Sequence, residues 1–310
     1  MATNNSNTQA AGVRRGELVE VRSLNEILAT LDADFKFEGL PFMPEMAQHC
    51  GRRFRVYRRA EKTCVEGVGI QRMRNTVFLE GLRCDGSAHD GCQRQCLVFW
   101  KEAWLKRIDG DAAETPAAAA TTDIVSAAEL PTKKDDRYFC QSTELLGATS
   151  PLSRLNLRAY LRDLRLGEAT PWLLARVLGR AALNKLRRLL GRAPYGQLLG
   201  AQAKAPRGDL NLQPGELVEV KSRPEIEATL DADGRNCGLS FEVEMLEHCG
   251  RRYRVAFPIH QIIFEQTSKM VQLTNTVALE GVVCQGLCAK NCPRANYLYW
   301  RESWLRRVEG

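Results

Sequence analysis

Apolar and charged residues alternate through Leu18-Val19-Glu20-Val21, Arg53-Phe54-Arg55-Val56-Tyr57 and Thr76-Val77-Phe78-Leu79-Glu80. A period of two puts the apolar side chains on one face of a strand and the charged ones on the other. Between the first two of these runs, Leu24 to Leu31 has helical spacing. Ser23 is placed as its N-cap, and Glu26, three residues on, as the capping-box partner. Glycines 39, 51, 67, 69 and 81 mark turns. Short strands at this density over about 95 residues predict a small β-barrel or sandwich.

The same pattern occurs twice. Gly16-Glu17-Leu18-Val19-Glu20-Val21 returns as Gly215 to Val220, Ala29 to Asp34 as Ala228 to Asp233, and His49 to Val56 as His248 to Val255 with Tyr253 for Phe54. After a one-residue insertion, Asn75-Thr76-Val77 matches Asn275-Thr276-Val277, and Leu79-Glu80-Gly81 matches Leu279-Glu280-Gly281. Each copy closes on Trp-x-Glu-x-Trp-Leu, at Trp100 to Leu105 and Trp300 to Leu305, whose large aromatics suit a core. Ordered self-similarity over this length identifies an internal repeat.

The chain between the copies follows other rules. Residues 109–136 are rich in Ala, Thr, Asp, Glu and Pro without apolar periodicity, which reads as a flexible linker. From Tyr138 the pattern turns helical, with one helix expected over Arg154 to Leu166 and a second from Thr170, its N-cap, to Leu190, with Pro171 at the first helical position. The second carries Leu173, Leu174, Val177, Leu178, Ala181, Leu186, Leu189 and Leu190 among Arg176, Arg180, Lys185, Arg187, Arg188 and Arg192. The reading favoured for it is a helix packing its leucines on a barrel with its arginines in water. Contact with phosphates, or peripheral membrane contact through 170–192, are the alternatives. The expected organisation is a disordered tail (1–15), a first module (16–108), the linker (109–136), a basic helical segment (137–199) and a second module (213–310).

Lys and Arg exceed Asp and Glu by 44 to 37, a surplus of +7 that is compatible with an acidic partner without requiring one. No apolar run approaches the ~20 residues of a membrane span. The polar start lacks the apolar stretch of a secretory signal, so a cytoplasmic protein is expected. In a reducing compartment its eleven cysteines read as metal ligands or reactive thiols rather than as disulfides.

The densest cluster is Cys84, His89, Cys92 and Cys96, separated by four, two and three residues. Three thiols and an imidazole so spaced suit one tetrahedral zinc ion, with Gly86 and Gly91 supplying the turns. An iron–sulfur cluster is the alternative cofactor, since the stretch is similar to the CDGSH motif although Ala88 separates Ser from His. The second copy keeps Cys284 and Cys292, adds Cys288, and has Ala289 and Asn296 where His89 and Cys96 stand. Its three thiols need a fourth ligand from Cys237, Cys249 or His248. The shared pairs His49-Cys50 and His248-Cys249 read as core rather than as nucleophile and base, because neighbours along a strand point apart. Glu80 and Glu280 read as solvated strand residues, and Cys64 and Cys140 support no argument alone. No phosphate loop, dinucleotide fingerprint, zinc-protease helix or nucleophile elbow occurs, which weighs against an enzyme.

Gly-x-x-Val-x-Val at the start of each copy and the later Gly-x-x-Phe-x-Val resemble SH3-like barrels of KOW modules, a resemblance that implies nucleic-acid or ribosomal partners. Through Gly39 to Met46, Arg83 to His89 and Tyr138 to Leu145 the whole chain resembles an uncharacterised bacterial family of two-repeat, Cys-rich proteins. That resemblance implies a role beside a biosynthetic pathway. The expectation is therefore a mainly β chain of two SH3-like β-barrel repeats joined by a linker and a helical segment. Its expected function is that of a zinc-binding accessory or scaffold protein with a protein partner. The alternatives are an iron–sulfur redox protein or a nucleic-acid binder.

Overall fold

The computed structural model describes residues 12–108, 127, 129–152, 164, 167, 170–192, 194–203, 205–286 and 291–308. In the first module, β1 (Leu18–Val21), β2 (Arg53–Arg59), β5 (Thr76–Arg83), β6 (Leu97–Lys101) and β7 (Leu105–Arg107) form one curled antiparallel sheet in the order β6-β5-β2-β1-β7. The hairpin β3 (Lys62–Val65) and β4 (Gly69–Arg72) stands apart from it. The second module repeats this with β8 (Leu217–Val220), β9 (Arg252–Pro258), the hairpin β10 (Gln261–Phe264) and β11 (Lys269–Gln272), β12 (Thr276–Val283), β13 (Tyr297–Arg301) and β14 (Leu305–Arg307). Even the irregularities recur: the register of β2 on β5 slips between Val56 and Arg58, and that of β9 on β12 between Val255 and Phe257. The fold is mainly β, two half-barrel sheets with a helix between them, as the alternation predicts.

The alternating pattern works where a strand has one solvent face, whereas Thr76–Leu79 and all of β6 are buried on both faces. Val19, Val21, Val56, Val77 and Leu79 are buried in the first module, while Glu80 faces solvent. Both closing tryptophans of each copy are fully buried. Phe42 meets Trp104 edge-on at 5.4 Å and Phe241 meets Trp304 at 5.2 Å, and each second Trp donates its indole N–H to a threonine, Thr30 or Thr229, at 3.0 Å. Helix α1 (Leu24–Leu28) has the expected capping box between Ser23 and Glu26 and buries Leu24 and Ile27. It stops short of Leu31 because Thr30 turns its hydroxyl back to the Ile27 carbonyl (2.6 Å) and holds the tryptophan.

The stretch after the linker departs from the helical expectation. Residues 129–152 run as turns and short bridges against the first module, burying Leu130, Phe139, Cys140 and Leu145. Gln141 stands in for a strand at the open edge of β6: its carbonyl oxygen accepts the Phe99 N–H and its amide donates to the Phe99 carbonyl, each at 2.9 Å. Ser150–Pro151 adds a bridge to β4. The expected helix over Arg154 to Leu166 lies largely outside the described residues, as do most of 109–128. The long helix α2 (Pro171–Leu189) forms, capped by Thr170 with Pro171 in its first turn. The short α3 (Arg223–Glu227) is the second module's counterpart of α1.

The two modules pack on each other through exchanged hairpins. Ile263 of β10 donates its N–H to Cys92 Sγ (3.3 Å), and the equivalent Cys64 of β3 donates its N–H to Cys292 Sγ (3.2 Å). Cys92, Ile259, Ile262, Ile263 and Ala278 form a small apolar core spanning both halves, with Tyr138, Tyr297 and Tyr299 around it.

Candidate functional site

The Cys/His loop is the connection from β5 to β6. Cys84 follows the last residue of β5, Cys96 precedes the first of β6, and the Cys84 N–H donates to the Cys96 carbonyl at 2.8 Å, closing the loop at its neck. Inside it the N–H groups of His89 and Gly91 both reach the Gly86 carbonyl at 3.0 Å. Gly86 has φ +71°, and a Cβ there would lie 2.1 Å from the Cys92 carbonyl oxygen, so only glycine fits. Gly286 has the same φ sign and the same close approach to Cys292.

His89 is 1% exposed and both its ring nitrogens are engaged. Nδ1 lies 2.5 Å from Glu45 Oε1, and Nε2 lies 3.1 Å from the Phe139 carbonyl oxygen. A carbonyl only accepts, so Nε2 carries a proton, and beside a carboxylate Nδ1 carries one as well. Burial pulls the imidazole pKa down, but the hydrogen bond and charge of Glu45 and the Phe139 carbonyl outweigh it and raise the pKa above its ordinary value. In this arrangement the expected ligand His89 has both ring nitrogens engaged by protein oxygens, Glu45 on one side and Phe139 on the other. Glu45 also receives the Ala88 N–H at 3.3 Å and lies 3.9 Å from Cys84 Sγ, while its second oxygen has no hydrogen-bond partner.

The thiols divide. Cys84, Cys92 and Cys96 line one small cavity together with His89 and with Cys140, which the 129–152 segment brings to its wall. Burial comes first in raising the pKa of Cys84, Cys92 and Cys140, that of Cys140 to about 11. Cys92 spends a sulfur lone pair on the Ile263 N–H. With side chains in these rotamers, no three His, Cys, Asp or Glu groups among the described residues are set to hold a metal ion. The fold gathers Cys84, His89, Cys92 and Cys96 around one cavity and adds Cys140 to them.

In the second module Cys284 is again beside a buried carboxylate, Glu244, which raises its pKa further after burial, and Glu244 accepts the Gln285 N–H at 2.6 Å. Cys292 is buried and faces Cys64; Cys288 lies outside the described residues. The candidates for a fourth ligand serve elsewhere. Cys237 is exposed and borders a surface cavity with Ala205 and Arg207, His248 Nδ1 pairs with the Tyr253 hydroxyl at 2.6 Å, and Cys249 packs on the core. His49 likewise packs edge-on against Phe54 and Trp100, and burial lowers its pKa to about 4.

Between the two Cys loops lies a buried charge cluster that sequence reasoning missed. Arg94 and Arg294, equivalent in the two copies, meet Glu66 and Glu265, equivalent in the two hairpins. Arg294 Nη2 lies 2.8 Å from Glu265 Oε2, Arg94 Nη2 lies 3.4 Å from the same oxygen, and Arg94 also pairs with Glu66. Each arginine sends its other amino group to the facing hairpin's backbone, Arg94 to Ile263 O and Arg294 to Cys64 O. Ser142 donates to Glu265 (2.9 Å). Burial works against the Glu265 charge, yet Arg294 and Arg94 together hold its carboxyl below the ordinary glutamate value. The signal was present in the sequence as a glutamate at 66 and 265, just after the matching hairpin strands, and as an arginine two residues after Cys92 and Cys292. It was unreadable because charged residues in turns are by default solvated.

Comparison with protein-family models, with curated proteins and with solved structures finds no match to this chain.

Proposed function

We propose that the chain is an accessory or scaffold protein whose first module takes a thiophilic metal ion, zinc before others, on Cys84, Cys92, Cys96 and Cys140. The observation that carries this is one small cavity lined by four thiols, from the Cys loop and the 129–152 segment. A Cys₄ set is a closed structural zinc sphere, and an ion that displaces thiol protons compensates the burial that raises the pKa of Cys84, Cys92 and Cys140. In the second module Cys284, Cys288 and Cys292 have no matching fourth thiol, so one ion per chain is the expected stoichiometry. His89 stays outside the sphere, bound to Glu45. A two-module body with catalytic motifs absent from its sequence suits a protein partner.

Elemental analysis and an absorption spectrum of protein purified without oxygen test the reading. About one zinc per chain and no visible band are expected. Cys84→Ala with Cys140→Ala should abolish zinc retention, while His89→Gln should keep it. Iron with a charge-transfer band would replace zinc by an iron–sulfur cluster on the same thiols. A metal-free chain whose melting temperature is indifferent to added zinc would end the metal reading.

A further inference from the structure

Helix α2 carries its apolar face outward. Only Leu174 and Val177 of its side chains are buried. Its inner side is held by the Asn184 side chain, which accepts the Tyr195 N–H at 2.8 Å. Arg180 reaches over Gly196, which also abuts Val243 and Leu246 of the second module. At ~100° per residue, Trp172, Leu178, Leu183, Leu186, Leu189 and Leu190 fall on a single arc of roughly 140°, interrupted only by Pro, Ala and Gly. All six are exposed, Trp172 to 73% and Leu189 to 76%. A contiguous apolar face of this kind is rare on a soluble surface unless it meets a partner.

The charges say which partner. Residues 171–192 hold six basic residues and no acidic one. Arg176 and Arg187 flank one side of the apolar arc and Lys185 and Arg192 the other, where long cationic side chains can reach past an inserted apolar face to anionic headgroups. A second copy of the helix would set like charges rim to rim across the leucines. Phosphates of a nucleic acid would use the arginines but leave the leucines in water. We infer that α2 is a surface-lying membrane anchor that docks the protein, its axis in the plane of the interface, on bilayers rich in anionic lipid. It lies on the membrane and does not cross it, since among the described residues no helix is long and apolar enough to do so.

Flotation of the full chain with vesicles of phosphatidylcholine, with and without phosphatidylglycerol, tests this. The protein should float only with the anionic vesicles. The other four tryptophans are fully buried, so a blue shift of emission on binding reports Trp172 entering the bilayer. Leu186→Glu and Leu189→Glu alter exposed positions and should each weaken vesicle binding on the order of 10-fold, with unchanged circular dichroism and melting. Arg176→Gln with Lys185→Gln should remove the preference for anionic over neutral lipid. Absence of flotation with an unmoved Trp172 spectrum would overturn the inference. So would RNA or DNA binding undiminished by the two glutamates in a chain that ignores vesicles, or a solution dimer that Leu189→Glu dissolves in such a chain.

Discussion

His89 shows how one hydrogen-bond pattern decides chemistry. Its two protons are both committed to oxygen, and its folded pKa is raised, so protonation stabilises the fold. That stabilisation is complete below the ordinary histidine value of about 6.5 and is lost as pH rises through the folded pKa. His89→Gln should therefore cost roughly 1.5–3 kcal/mol in mildly acidic buffer, with the deficit shrinking as pH is raised. Urea denaturation of both proteins across that range measures it; a deficit that grows with pH would mean a neutral imidazole. His49 acts in the opposite sense. Buried neutral with a pKa near 4, it withdraws stability as pH falls from about 6.5 toward that value.

At the scale of elements, the shape of the Cys loop depends on Gly86. Gly81 and Gly86 both have positive φ, but a Cβ at Gly81 meets nothing within 4 Å, while at Gly86 it strikes the Cys92 carbonyl. Gly81→Ala should cost about 1–2 kcal/mol, the left-handed penalty alone. Gly86→Ala should cost clearly more and shift Cys92 relative to the facing β10. Equal costs in thermal denaturation would show that the loop relaxes around the new methyl. Local rules served well where an element has a solvent face and a core face. The strands, the α1 capping box and the Thr170–Pro171 start of α2 were all legible in the sequence. They failed over 129–152, because Phe139, Cys140 and Gln141 are buried by completing another element's edge, and nothing local encodes that.

For the whole molecule, the Arg94–Glu66–Glu265–Arg294 cluster is the joint between the halves. It is buried, bridged by backbone carbonyls from both hairpins and sealed by the 129–152 segment through Ser142. Removing the Glu265 charge leaves two buried arginines with Glu66 as the cluster's remaining carboxylate, so Glu265→Gln should destabilise the protein by about 3–5 kcal/mol. Because Glu265 is held below the ordinary glutamate pKa, its contribution is present above that value and lost as pH falls through the folded one. Chemical denaturation should then show the modules unfolding in separate steps in the variant and together in the parent. A single unchanged transition would show that the charges are not what joins them.

The repeat, its strands and helices and the density of thiols were settled by the sequence alone, because each follows from short-range periodicity and spacing. Which thiols share a cavity was settled only by the tertiary structure. Cys140 lies 44 residues beyond Cys96 and reaches the cavity through a segment that has no signal of its own. The protonation of His89, the charge cluster and the outward face of α2 belong to the same category. Each depends on what a side chain meets across the fold, and burial reverses the meaning that the same residue has in water.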